Sequence, residues 1–239
     1  MSNIVASQAR TVYNNSNGTS IRDKAAATNA DTINTGTSGL LLGYFYHGFL
    51  KANYRSFLNF DLSGESGTVT AVSLTLTRRD SDNFPDLFVL ASEAGNDLAT
   101  TDYQDGIVGA TGYPFTSDAT KFTDSAHSPN DGGGDDDTIT INLNAAAVTH
   151  ANNVIGTSNR FKCAIVNAHD FNDTYDADDD GFSAVLALQG IEVDSTDSGD
   201  SSNHPVLNLT FGASTPPTTT GITLKGGTLT LKGGSLTIK

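Results

Sequence analysis

An acidic segment at residues 176–181 has the spacing of a calcium-binding loop. It reads Asp176-Ala-Asp178-Asp-Asp180-Gly181. Ca²⁺ takes about six to eight oxygen ligands, alternate carboxylates can converge on one ion, and glycine at the sixth position permits the sharp turn. Such loops end on a glutamate, but the corresponding residue here is Ala187. We therefore expect either a calcium ion or a merely solvated acidic loop. In the first case, further ligands would come from Asp170, Asp173 and the backbone carbonyl of Phe182.

Aromatic side chains form a second group with binding potential, because a flat ring that is partly exposed can stack against a ligand. The densest cluster is Tyr44-Phe-Tyr-His-Gly-Phe49. In a strand, alternation sends Tyr44 and Tyr46 to one face and Phe45 to the other, so half of the cluster is expected in the core. Tyr103 and Tyr113 lie in segments that contain glycine and proline. The candidate glycan-binding residues are Tyr44, Tyr46, Tyr103 and Tyr113, with packing as the alternative role.

No catalytic residues are predicted. The five histidines are scattered, and none has the spacing of zinc ligands or stands beside a nucleophile motif. Acidic residues are so common that a pair of carboxylates is uninformative about glycoside hydrolysis. The single cysteine, Cys163, lies beside apolar residues in an alternating segment and is expected to be a buried structural thiol.

The charge and hydropathy exclude two classes of partner. A net charge of −14 argues against nucleic acid, since phosphate contacts need clustered lysine and arginine. No apolar stretch approaches the roughly 20 residues that span a bilayer, so no membrane partner is expected. The chain begins without a basic region followed by an apolar run. We expect an outside location, reached after removal of a signal or by release of virus particles.

Period-two alternation of apolar and polar residues dominates the chain, so β-strands must position these side chains. Turns rich in glycine, serine and aspartate separate the alternating segments. One short helix is expected at 145–150, with Asn144 as its N-cap. The pattern predicts an all-β fold, a two-sheet antiparallel jelly-roll sandwich with a short C-terminal β-hairpin repeat tail. The expected strands are 40–46, 55–62, 71–78, 86–91, 138–143, 160–167, 182–188 and 206–211.

Composition divides the chain into four parts. Residues 1–29 are expected to be an N-terminal arm or first strand, and residues 30–212 the sandwich domain. Residues 213–220 form a proline- and threonine-rich linker, which is too polar to bury. Residues 221–239 form a β-repeat assembly tail.

The tail repeats units of the form Leu-Thr-Leu-Lys-Gly-Gly. Gly-Gly favours two-residue hairpin turns, and turns at Gly226-Gly227 and Gly233-Gly234 would place every apolar residue of the tail on one face. Such a small sheet cannot cover that face, so we expect a partner, with an unstructured polar tail as the alternative. The partner would be its own sandwich, symmetry mates or another protein. The predicted assembly residues are Ile222, Leu224, Leu229, Leu231, Leu236 and Ile238.

Two resemblances bear on function. The run Tyr54-Arg-Ser-Phe-Leu-Asn-Phe-Asp-Leu-Ser63, followed by Val69-Thr-Ala-Val-Ser-Leu-Thr-Leu76, resembles the disaggregatase-related DNRLRE domains. Segments 141–148 and 204–211 are similar to that family's strand-then-helix segment and closing strand. The resemblance implies a jelly-roll module of the kind found in extracellular proteins and polysaccharide-active enzymes, some of which bind carbohydrate. The tail resembles repeats at the ends of structural proteins in tailed bacteriophages.

We therefore expect a non-enzymatic structural protein of a bacteriophage virion, as a head decoration, a fibre or a tail-associated protein. It would lie on the virion surface and form a homo-oligomer, with a trimer favoured, or bind other virion proteins. Glycan binding, to host or environmental polysaccharide, would be a further property. The alternative is a polysaccharide-binding module or adhesin domain of a secreted, extracellular bacterial protein.

Overall fold

The computed structural model confirms an all-β sandwich made of two antiparallel sheets. It describes residues 1–17, 25–27, 29–34, 40–47, 50–78, 86–111, 113–115, 118–128, 137–174, 187–193 and 203–213. The strands in these ranges are β1 (Ser2–Val5), β2 (Gln8–Asn17), β3 (Thr32–Asn34), β4 (Leu40–His47), β5 (Leu50–Asp61), β6 (Val69–Thr77), β7 (Leu87–Ala91), β8 (Thr138–Asn142), β9 (Arg160–Asn167), β10 (Ala187–Val193) and β11 (Val206–Phe211). The helices are α1 (Asp102–Asp105), α2 (Ala145–Val154) and α3 (Ala168–Asn172).

Sheet A contains β1, β11, β6 and β8, in that order. Its inner face is apolar, because alternate residues of each strand point to the same side. Along β6, Val72, Leu74 and Leu76 are buried. The intervening outer positions are small and polar, and Asn208 on β11 donates a hydrogen bond of 2.9 Å to the Thr75 hydroxyl. Sheet A therefore has one buried face and one face that is mainly serine, threonine and asparagine, with Val5 and Val206 where β1 pairs with β11.

Sheet B is organised around β5, its longest described strand. One edge of β5 pairs with β2 along its length, and β2 pairs in turn with β3. The other edge pairs with β4 over Leu50–Tyr54 and with β9 over Ser56–Asp61. β4 continues the sheet to β10, and β9 continues it to β7.

Around β5, β7 and β9, the part whose side chains are described, sheet B is buried on both of its faces. The inner face packs against sheet A in a core that includes Leu58, Phe60 and Phe161. A second core covers the outer face, where Phe57, Phe88 and Leu90 pack under residues from segments 94–115 and 164–171. All five residues of β7 are buried as a consequence.

Helix α2 follows β8 and begins where the sequence predicts. The Asn144 side chain accepts hydrogen bonds from the backbone N–H groups of Ala146 and Ala147, at 3.0 and 3.3 Å, which confirms the N-cap. The helix runs beyond 150 to Val154, because Ala151 and Val154 continue the buried stripe that Ala147 begins. Gly156, with φ of 67°, then turns the chain toward β9.

Most of the predicted strands are confirmed, and two of them, 160–167 and 206–211, have the predicted bounds. The strand predicted at 182–188 overlaps β10 at Ala187 and Leu188, and residues 182–186 lie outside the description. Strands β1, β2 and β3 were not predicted individually. β1 pairs with β11 and β2 with β5, so residues 2–17 contribute to both sheets. No helix in the described ranges is long and apolar enough to cross a membrane.

Candidate functional site

The outer face of sheet B carries polar side chains at both ends of β5. Asn53, Arg55, Phe57 and Asn59 share this face because they are alternate residues of one strand. Phe57 belongs to the second core and separates the two polar ends. We call the buried side chains around Arg55 the arginine cluster. A groove, described below, lies near Asn59 at the other end.

The arginine cluster is a fully buried ion pair. Arg55 Nε donates to Asp170 Oδ2 at 2.7 Å and Arg55 Nη2 donates to Asp170 Oδ1 at 2.8 Å, with both side chains 0 % exposed. Further guanidinium hydrogen bonds reach the backbone carbonyls of Tyr103 and Ala25, at 2.7 and 2.6 Å. The guanidinium also lies over the rings of Tyr103 and Phe115, 3.8 and 4.5 Å from their centroids. The charge of the guanidinium is thus compensated by one carboxylate, two carbonyl oxygens and two aromatic rings.

Two asparagines, Asn53 on β5 and Asn167 at the end of β9, extend the hydrogen-bond network of this cluster. Asn53 Nδ2 donates to the Tyr103 hydroxyl at 2.8 Å, and Asn53 Oδ1 accepts from Asn167 Nδ2 at 3.1 Å. Asn167 Oδ1 in turn accepts from the backbone N–H of Asp170 at 2.7 Å and caps α3. The cluster therefore links β5 to α1 and α3, and its role is structural.

The predicted glycan-binding tyrosines form no exposed platform among the described side chains, since Tyr103 and Tyr113 both lie at the arginine cluster. Tyr103 is 0 % exposed and its ring faces Arg55 instead of solvent. Tyr113 is half-buried and packs edge-on against Phe115, and burial followed by the nearby carboxylates of Asp170 and Asp173 raises the pKa of its hydroxyl. Tyr44 and Tyr46 lie in β4, but their side chains are outside the description.

The predicted calcium ligands fall partly on described residues. Both carboxylate oxygens of Asp170 are engaged by Arg55, so coordination by Asp170 would require the ion pair to open. Asp173 follows α3 with a left-handed backbone, φ 52°. In the described ranges, no group of three or more histidine, cysteine, aspartate or glutamate side chains is placed to hold a metal. Asp176, Asp178, Asp180 and Phe182 lie outside those ranges, as do all the predicted assembly residues of 221–239, so both sites stay predictions.

The groove lies between the end of α2, the beginning of β9 and the loop that follows β7. It has a volume of about 390 Å³. β7 ends opposite Cys163, so Arg160 and Lys162 lie beyond its last residue and one wall is formed by residues 92–96. The residues that line the groove are Ser92, Glu93, Asn96, His150, Val154, Ser158, Asn159, Arg160 and Lys162.

The charged side chains at the groove are largely committed to neighbours. Lys162 Nζ donates to the backbone carbonyl of Ala94 at 2.7 Å. Arg160 donates to the Ser7 hydroxyl at 2.5 Å and lies 3.6 Å from the carboxylate of Asp61. Hydrogen bonds from Ser63 lower the pKa of Asp61 below its ordinary value. Asp61 lies outside the groove lining but offsets the charge of Arg160, and Glu93 offsets that of Lys162, so the formal charges of these four side chains balance.

His150 brings a buried polar atom to the groove. Its Nε2 is buried and has no hydrogen-bond partner among the described residues. The imidazole packs on Phe122 and Phe161, with centroid distances of 5.5 and 5.1 Å. Burial lowers the pKa of His150 below 6.5, so the ring is neutral at pH 7.

Asn59 lies behind the groove wall and is 4 % exposed. Its Nδ2 donates to Asn96 Oδ1 at 3.1 Å, whereas its Oδ1 is buried with no partner among the described residues. A small cavity of about 10 Å³ adjoins Asn59, Ser92 and Lys162. The bond to Asn96 fixes the orientation of that amide, so that its Nδ2 remains as a donor.

Sequence reasoning missed the groove, because its walls come from three separate segments. The available signal was the alternation of Arg160 and Lys162 in a chain with few basic residues. The expectation for Cys163 is confirmed, since it is fully buried and burial raises the pKa of its thiol.

Neither models of protein families nor curated proteins give a match to this chain. The resemblances to DNRLRE domains and to phage repeats therefore stay predictions.

Proposed function

We propose that this chain is a non-enzymatic structural protein of a bacteriophage particle, displayed on the virion surface and multimerised or attached through residues 221–239. The repeat pattern of the tail and its resemblance to phage proteins support the proposal. The structural observation that carries it is the position of β11. Leu207 and Leu209 are 0 % exposed between β1 and β6, so the chain has contributed its last described strand to the core before the linker begins. The apolar residues of the tail then serve a separate contact.

The experiment compares two double variants of the full chain by light scattering. Leu229→Asp with Leu231→Asp places charges on the apolar face of the tail, and we expect oligomers to dissociate into monomers while the melting temperature of the sandwich is retained. Thr228→Asp with Thr230→Asp adds the same charges on the opposite face and should leave the oligomer intact. Unchanged oligomers in the leucine variant would contradict the assembly role.

The second candidate is a polysaccharide-binding module or adhesin domain of a secreted bacterial protein. The groove favours it, since pockets that bind small ligands have volumes of about 300–1,000 Å³ and contain a few fixed polar groups. A glycan array probed with the full chain tests it. Binding would support this candidate, and a gene neighbourhood of carbohydrate enzymes instead of capsid and tail genes would favour it over the particle protein.

A further inference from the structure

The groove presents both hydrogen-bond donors and hydrogen-bond acceptors. Glu93 offers acceptors, Arg160 offers donors, and the amides of Asn96 and Asn159 offer both. Ser158 adds a hydroxyl. Glu93, Asn96, Ser158 and Asn159 are exposed, so a ligand can reach them without displacing the fold. A ligand that pairs with such a mixture must itself donate and accept at each polar atom, which is the property of a hydroxyl group.

The charge balance argues against an ionic ligand. The two cationic side chains already donate to Ala94 and Ser7, and Asp61 lies 3.6 Å from Arg160, so much of their charge is compensated within the protein. The net charge of −14 also repels polyanions at long range. A cation would find one uncommitted carboxylate at the groove, that of Glu93, which is far fewer oxygen ligands than calcium needs.

Two further features suit a sugar ring. Val154 and the flat imidazole of His150 provide an apolar surface beside the polar wall, as the alternating C–H and hydroxyl edges of a sugar require. The amide of Asn96, which Asn59 holds in place, is already oriented in the folded protein. Groups that are fixed before binding lose little entropy when the ligand arrives.

We propose that the groove binds an uncharged saccharide, with Glu93, Asn96 and Arg160 contacting its hydroxyls and His150 lying against the ring. The inference rests on the second candidate function and is independent of the assembly role of the tail. Exposed residues form both ends of the groove wall, so a chain longer than the groove can extend into solvent. The expected ligand is therefore a segment of a neutral polysaccharide.

The test is calorimetric titration of the full chain with neutral gluco-, manno-, galacto- and xylo-oligosaccharides, and with an oligogalacturonate as the charged comparison. Glu93→Gln and Asn96→Ala should each weaken binding of the neutral ligand roughly tenfold, since the first replaces a charged acceptor by a neutral one and the second removes a preoriented amide. Asp86→Asn and Asn142→Ala are the matched controls, because both residues are exposed and neither lines the groove. All four variants should keep the wild-type melting temperature within a few degrees.

Each outcome decides the inference. Neutral binding that is weakened in the two groove variants and retained in the controls supports it. Neutral binding that the groove variants leave unchanged overturns the site but keeps the glycan-binding candidate. Binding of the uronate alone overturns the ligand class. Absence of binding to every oligosaccharide overturns the inference, whereas the light-scattering result on the tail variants still decides the particle protein.

Discussion

The arginine cluster and the groove lie near opposite ends of β5, and they differ in how their polar atoms are paired. In the cluster, Arg55, Asp170 and Asn53 have partners on several sides and are 0 % exposed. In the groove, exposed side chains stand beside two buried atoms, His150 Nε2 and Asn59 Oδ1, with no partner among the described residues. The polar groups of the cluster satisfy one another and build structure, whereas the exposed side chains of the groove can be reached by a ligand.

The largest expected effect separates the two arginines. Arg55→Met should lower the free energy of unfolding by about 3–5 kcal/mol, because it leaves the carboxylate of Asp170 buried without its counterion. Arg160→Met, at the partly exposed pair with Asp61, should cost less than about 1 kcal/mol. Urea denaturation at fixed protein concentration measures both.

Adding Asp170→Leu to Arg55→Met should recover much of the loss, since an apolar pair of similar size needs no desolvation of charge. An equal loss of unfolding free energy in the two single arginine variants would contradict the difference in polar pairing between the cluster and the groove.

Calcium provides the second test, because the predicted loop begins at Asp176, four positions after the last residue of α3 in the sequence. At free calcium about 100 times the dissociation constant, the ion should stabilise the fold by about 2.7 kcal/mol, and chelator should remove that gain. Asp173→Asn should abolish the calcium-dependent rise in melting temperature. Asp97→Asn, in the loop after β7, is the control and should retain it. A melting temperature that ignores both calcium and chelator would leave the loop as a solvated one.

Asn53 and Asn59 allow a comparison between identical residues on one strand. Asn53→Ala should cost about 2–3 kcal/mol, because it strands the buried Tyr103 hydroxyl and the Asn167 amide. Asn59→Ala should cost about 1 kcal/mol or less, since it loses one hydrogen bond and also removes an unpaired acceptor. Thermal or urea denaturation of the two variants gives the difference, and a reversed order would contradict the pairing pattern.

The smallest effect concerns pH. Burial holds the pKa of His150 below 6.5, so the folded state binds fewer protons than the unfolded state as pH falls. The stability associated with the neutral ring is complete above pH 6.5 and is lost as pH falls from 6.5 toward the folded-state pKa. The melting temperature of the wild type should therefore decrease more steeply between pH 7.5 and 5 than that of His150→Phe, which keeps the ring packing. Parallel curves would show that His150 does not sense pH.

The strands were predictable where each strand's own sequence alternates. β11 alternates in burial over its first four residues, and β9 does so over its first four before both of its faces become buried; the bounds of both strands follow from the sequence. β2 was missed as a strand because its second half, Asn14–Asn17, is polar, and it is held by pairing with β5 that no local pattern reveals. The double burial of sheet B was missed for a similar reason, since the segments that cover its outer face have irregular sequences.

The candidate sites were less predictable than the fold. The Asp176–Gly181 spacing and the tail repeat are local patterns, and their residues lie outside the described ranges. The role of Asp170 depends on Arg55, which is 115 positions away in the chain. The groove likewise unites side chains near 93, 150 and 160, and only the folded backbone brings such distant segments together.

The pairing of β1 with β11 has a consequence for folding during translation. Ser2 lies opposite Leu209, so β1 cannot find its partner until nearly the whole body has been translated. Pairing across such a separation in sequence is slow and leaves the edge of β6 open in the meantime. A nascent chain halted before Val206 would expose that edge to other strands, and the repeat that follows residue 220 is made only after the strand that closes it.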